Sequence, residues 1–144
     1  MGIKKYHNIY TAGYIMLILL WATTAASKLG NLNGFQSDLD KQVFTKTFNG
    51  ILLYAVPIAE LVAAALLTFE KTRFVGLAVS LFLISAFTAY IILTLSGFFN
   101  KVPCSCGGVL KFLGWEAHLY FNLFFMVLSG SAIYIHAKRE VGDT

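Results

Sequence analysis

The chain has 144 residues, of which 58% are hydrophobic and only 12% are charged. That balance leaves too few polar side chains to cover a water-soluble globule, so the composition predicts an integral membrane protein. The formal charge of +4 does not indicate a nucleic-acid partner, because the Lys and Arg residues are scattered among short segments that flank apolar runs. We interpret them as a topology signal instead.

The first apolar run covers about residues 9–26, behind a short head that carries Lys4 and Lys5. Its length predicts a transmembrane helix, although the pattern is also typical of a secretory signal peptide that ends near Ala26. Residues 27–49 are polar and mixed, with apolar side chains at helix-like intervals, which predicts a loop with an amphipathic helix at the membrane interface. These apolar side chains are Phe35, Leu39, Val43, Phe44 and Phe48.

Three further apolar runs cover about residues 50–69, 74–99 and 115–137. The connection between the second and third runs is so short that their helices must be antiparallel neighbours. We therefore predict an all-α fold, a four-transmembrane-helix bundle that forms one membrane domain over residues 1–144.

Glu60 lies in the middle of the second apolar run. A carboxylate near the bilayer centre is costly, so it is expected to face the bundle interior and to pair with a hydroxyl of the third helix or with Asn122. Pro57 lies on the same helix face and frees the carbonyl of Leu53. Two interpretations remain open: a protonated Glu60 that only holds helices together, or a quinone headgroup site.

The distribution of basic residues predicts the orientation in the membrane. Six lie in three very short segments, and five are diluted over two longer loops. Because basic residues favour the cytoplasmic side, both termini are predicted to be cytoplasmic and the third connection, residues 100–114, periplasmic. The predicted location is thus the bacterial inner membrane, with this connection on the oxidising side. The six are Lys4, Lys5, Lys71, Arg73, Lys138 and Arg139.

That third connection holds the two cysteines of the chain, Cys104 and Cys106, beside Gly107 and Gly108. Two thiols with one residue between them can close a small disulfide ring whose strain makes it easy to reduce. The glycines leave room for an attacking thiolate. His118, near the start of the fourth helix, is predicted to accept a thiol proton. Cys104, Cys106 and His118 are therefore the predicted catalytic residues.

Other interpretations of these residues stay open. The Cys-Ser-Cys segment also suits a structural bridge or two reduced thiols in a tight turn. Cys104, Cys106 and His118 are donor types that suit copper or zinc, but a closed zinc site needs a fourth ligand. Glu60, Trp115 and Asn122 are the predicted cofactor-binding residues, with a quinone as the candidate cofactor.

Three motifs together resemble the DoxX-like superfamily, and more closely its MauE branch of small four-helix membrane proteins associated with methylamine utilisation. In this sequence Ser105 stands where that branch has the middle glycine of Cys-Gly-Cys, and Gly108 stands where an aromatic residue is common. The motifs are Lys28-Leu29 with Phe35 beyond it, Pro57-Ile58-Ala59-Glu60-Leu61, and Cys104-Ser105-Cys106-Gly107-Gly108.

The resemblance implies a role in disulfide formation or in maturation of an extracytoplasmic partner, alongside a thioredoxin-like protein and with quinone as electron acceptor. Four-helix disulfide-generating enzymes that use quinone carry a second, shuttling cysteine pair, whereas this sequence has two cysteines in all. The leading hypothesis is a membrane component of thiol–disulfide redox chemistry. The alternatives are a non-catalytic anchor or scaffold subunit of a larger complex, and a copper or zinc site.

Overall fold

A computed structural model describes residues 2–98 and 114–142 of the chain. The described residues form helices and contain no strand, which confirms the all-α prediction. In chain order the helices are α1 (Gly2–Gly30), α2 (Leu32–Asp40), α3 (Lys46–Thr68), a 3₁₀ turn (Glu70–Thr72), α4 (Arg73–Leu95) and α5 (Trp115–Gly142).

Four of these helices, α1, α3, α4 and α5, are long and apolar enough to cross a membrane. The 23 residues of α3 extend over about 35 Å, which exceeds the roughly 30 Å hydrocarbon core of a bilayer. The predicted four-transmembrane-helix bundle is therefore confirmed, and the chain is a multi-pass membrane protein.

The four long helices close a ring, because α1 packs against α3 and α5, and α4 packs against the same two helices. The 3₁₀ turn between α3 and α4 makes them antiparallel neighbours. Gly76 lets them meet closely, since a Cβ atom at this position would lie 2.8 Å from the backbone nitrogen of Leu67. A small residue at such a contact is typical of helices that pack within lipid.

Helix α2 packs on one end of the bundle. Its first turn is capped by Asn31, whose Oδ1 accepts a 3.0 Å hydrogen bond from the Gly34 amide. Phe35 and Leu39 point inward and pack with Leu53 of α3. The helical periodicity predicted through Phe48 is interrupted, because α2 ends at Asp40 and a new helix starts at Lys46.

Helix α1 continues to Gly30, beyond the predicted end of the first apolar run at residue 26. Lys28 is therefore a helical residue inside the bundle and not a loop residue. Residues 99–113, which include both cysteines, lie outside the described residues, as do residues 1, 143 and 144.

Candidate functional site

A buried ion pair joins α1 to α3. Lys28 Nζ lies 2.7 Å from Glu60 Oε1, and the two residues are 6% and 2% exposed. The predicted partners of Glu60 were wrong, since it pairs with a lysine and not with a hydroxyl of α4 or with Asn122. A full opposite charge compensates a buried carboxylate better than a neutral donor does, which explains the preference.

The local structure on α1 places Lys28 toward the bundle interior. Trp21, Thr24 and Lys28 are separated by three and four residues, so they share one helix face, and all three are buried. Trp21 Nε1 donates a 2.9 Å hydrogen bond to Ser80 Oγ of α4. This bond joins α1 to α4 across the ring of helices.

The ion pair borders a cavity of about 350 Å³ inside the ring of helices. Its wall is mainly apolar and rich in aromatic side chains, including Trp21, Phe35, Phe87, Tyr90, Trp115 and Phe121. Its polar lining consists mainly of Thr24, Lys28, Gln42, Glu60, His118 and Asn122. A cavity of this size with an apolar wall and few polar groups is typical of a small-molecule site.

The structure brings four of the predicted site residues together around this cavity. Glu60 comes from α3, whereas Trp115, His118 and Asn122 come from the first two turns of α5. Because Cys104 and Cys106 lie outside the described residues, their relation to His118 stays a prediction. The copper or zinc site also stays a prediction, and residues 2–98 with 114–142 hold no group of three potential metal ligands by themselves.

Three polar atoms on the cavity lining are buried and have no hydrogen-bond partner among the described residues. They are Glu60 Oε2, His118 Nδ1 and Asn122 Nδ2. A buried polar atom left in this state costs about 1–3 kcal/mol, so protein interiors rarely keep one without a ligand or water. Glu60 Oε2 accepts hydrogen bonds, Asn122 Nδ2 donates them, and His118 Nδ1 can do either. The three atoms therefore suit a ligand that carries both hydroxyl and carbonyl oxygen atoms.

One wall of the cavity is held by the segment that follows α2. The Tyr90 hydroxyl of α4 donates to Gln42 Oε1 of this segment. The ring of Phe44 stacks on Tyr90 with the centroids 5.6 Å apart. These contacts attach the α2 region to α4 across the cavity.

Sequence reasoning missed Lys28 and Gln42 as lining residues. Lys28 carried a usable signal, because it follows Trp21 and Thr24 at helical spacing and is a basic residue able to balance Glu60. Gln42 carried none, because its partner Tyr90 is 48 residues away and no local pattern links the two.

Four membrane-length helices around a largely apolar cavity with a few polar groups define a small multi-pass membrane protein. Residues 6–135 match the family model described as Methylamine utilisation protein MauE, so the chain belongs to the MauE family. The resemblance to the MauE branch is thereby confirmed. No match was found among curated proteins or among solved structures.

Proposed function

We propose that this MauE-family protein is the membrane component of an extracytoplasmic thiol–disulfide redox system. In this proposal Cys104 and Cys106 form a disulfide that exchanges with a periplasmic partner of thioredoxin-like or substrate type. Membership of the MauE family supports a role in a maturation pathway, and the Cys-x-Cys segment supplies the redox chemistry.

The observation that carries the proposal is the aromatic cavity with its three unsatisfied polar atoms. A quinone headgroup is a flat ring with oxygen atoms at its edge, so it fits stacking walls that end in hydrogen-bonding groups. Asn122 Nδ2 is able to donate a hydrogen bond to a carbonyl oxygen of the quinone, and Glu60 Oε2 is able to accept one from a hydroxyl of the reduced form. When bound, the quinone accepts two electrons and two protons.

The residues of the chain have separate tasks in this scheme. Lys28 holds Glu60 through Oε1, which orients Oε2 toward the cavity. Trp115 and Phe121 line the cavity and would cover a bound headgroup and exclude water. His118 accepts a proton that a thiol releases, with its buried Nδ1 as the receiving atom.

The electron balance of the cycle is simple. A dithiol of the partner reduces the Cys104–Cys106 disulfide and becomes a disulfide itself. The resulting pair of thiols loses two electrons and two protons and closes again, and a bound quinone would accept both. The partner supplies the second thiol pair that this 144-residue sequence lacks.

The proposed orientation places both termini in the cytoplasm of a bacterial inner membrane and the cysteine segment in the periplasm. The density of basic residues near the termini and at the turn between α3 and α4 supports it. A thiol pair on that side meets oxidising conditions.

The Cys106→Ser variant is expected to form a mixed disulfide between Cys104 and the partner, because the resolving thiol is missing. Cells that express tagged full-length variants are quenched with acid and alkylated, and adducts are read on non-reducing gels. Since either thiol is a candidate nucleophile, Cys104→Ser is tested in parallel. The double variant, which has no thiol, is the control.

Absence of any reductant-sensitive adduct from both single variants, with unchanged thiol status of periplasmic proteins, contradicts the proposal. A double variant that still assembles and functions normally favours the anchor or scaffold alternative. The lack of a second cysteine pair in the sequence is the observation behind that alternative.

A further inference from the structure

A cluster of cations and aromatic rings lies where the first half of α1, the start of α4 and the last turns of α5 meet. The Arg73 guanidinium lies 4.0 Å from the centroid of the Tyr14 ring, and that of Arg139 lies 5.4 Å from Tyr10. Lys138 lies 5.9 Å from the ring of Tyr6. We name these six residues and His136 the basic aromatic cluster.

The charge around this cluster is strongly positive. Six basic residues lie at the start of α1, in the 3₁₀ turn with the start of α4, and in the last turns of α5. The described acidic residues of the same segments are Glu70 and Glu140, so basic side chains exceed acidic ones by four. The ion pairs formed among described residues are Lys28 with Glu60 and Lys41 with Asp38, neither of them at this cluster. Within residues 2–98 and 114–142, the cluster thus has no carboxylate partner.

The geometry of the cluster is fixed from within the bundle. Tyr10 is only 4% exposed, and the imidazole of His136 lies between Tyr10, at 5.8 Å, and Phe74, at 5.4 Å. His136 Nδ1 is buried and has no hydrogen-bond partner among the described residues. Cation–π contacts hold guanidinium groups in place while their N–H donors stay available.

The two arginines differ in what their donors already bind. Arg73 donates to the carbonyl oxygens of Leu67 and Thr68, at 3.1 and 3.5 Å, so it completes the end of α3. Arg139 is exposed and no hydrogen bond joins its side chain to another described residue. Its guanidinium is therefore available for an external anion.

We propose that the basic aromatic cluster binds a phosphate-bearing anion, with Arg139 and Lys138 as the principal contacts and His136 beneath them. Arginine pairs with phosphate through two parallel hydrogen bonds, and basic pockets between transmembrane helices bind the headgroups of anionic phospholipids. The cluster is formed by parts of the chain that do not line the cavity, so this proposal does not depend on the redox function.

The test uses the full chain purified in a neutral detergent. Phosphatidylglycerol or phosphatidylcholine is added at equal concentration, and retained lipid is counted by native mass spectrometry. We expect the anionic lipid to be retained over the zwitterionic one, and Arg139→Gln to weaken its binding about fivefold, the effect of one basic residue near a lipid surface. Lys46→Gln, at the start of α3, is the matched control.

Three outcomes decide the proposal. Equal retention of both lipids, or equal loss in Arg139→Gln and Lys46→Gln, overturns it. Inorganic phosphate that raises the melting temperature of the wild type but not of Arg139→Gln supports the site and assigns it to a soluble phosphate. A melting temperature that rises with phosphatidylglycerol but not with inorganic phosphate supports the site and assigns it to lipid.

Discussion

Replacing Glu60 with Gln is expected to lower the free energy of unfolding by about 3–5 kcal/mol. The substitution keeps the shape of the side chain but leaves the Lys28 ammonium buried, at 6% exposure, without a counter-charge. Lys28→Met should be similarly damaging, because it leaves the carboxylate alone. The measurement is the unfolding transition of the full chain in mild detergent.

The double variant Lys28→Met/Glu60→Leu separates lost charge balance from lost packing. It should regain most of the stability, since replacing both members of a buried pair by apolar residues of similar size is nearly neutral. Lys41→Met is the matched control, because it removes the exposed pair with Asp38 and should cost no more than about 1 kcal/mol. A Glu60→Gln variant as stable as this control would contradict a structural role for the buried pair.

Asn122→Leu is expected to weaken binding of a water-soluble quinone analogue about tenfold. The substitution removes the Nδ2 donor that has no partner among the described residues, and one buried hydrogen bond to a ligand is worth about 1–3 kcal/mol. Both tryptophans of the chain, Trp21 and Trp115, line the cavity, so quenching of their fluorescence reports on occupancy.

Asn49→Leu supplies the control for that measurement. Asn49 is as well buried, at 4% exposure, but it does not line the cavity. Its replacement should leave the affinity for the quinone analogue unchanged. Equal weakening by the two substitutions would indicate a general loss of packing and would argue against a contact between Asn122 and the ligand.

The long helices were predictable because their signal is local. Each is an apolar run long enough to span the hydrocarbon core, and such runs must be helical in lipid to satisfy their backbone groups. The inward position of Glu60 was predictable for a related reason, since a carboxylate is too costly to face lipid.

The partner of Glu60 was harder to predict, although Lys28 shares a helical spacing with Trp21 and Thr24. Lys28 is 32 residues away and stands at the end of an apolar run, where a lysine ordinarily marks the membrane surface. Only the extension of α1 to Gly30 brings Lys28 into the bundle. The apolar spacing through Phe48 wrongly predicted one continuous amphipathic helix. Phe48 belongs instead to a new helix, which Thr45 caps by accepting a hydrogen bond from the Phe48 amide.

The cavity itself is a product of tertiary packing. The sequence singled out Glu60, Trp115, His118 and Asn122 for their chemistry. Spacings of three and four residues put the last three on one face of α5, but no local pattern placed Glu60 of α3 beside them. Their convergence follows from the ring of α1, α3, α4 and α5. The predicted role of Cys104 and Cys106 still depends on their spacing and on the family.

The central claim is that the thiol pair passes its electrons to a quinone in this cavity. Reduced full-length protein, freed of reductant under anaerobic conditions, is mixed with a quinone analogue, and lost thiols and formed quinol are counted together. The account predicts two thiols lost for each quinol formed, and no quinol with the double Cys→Ser variant. Tryptophan quenching by the analogue without thiol loss, or thiol loss without quinol, would contradict it.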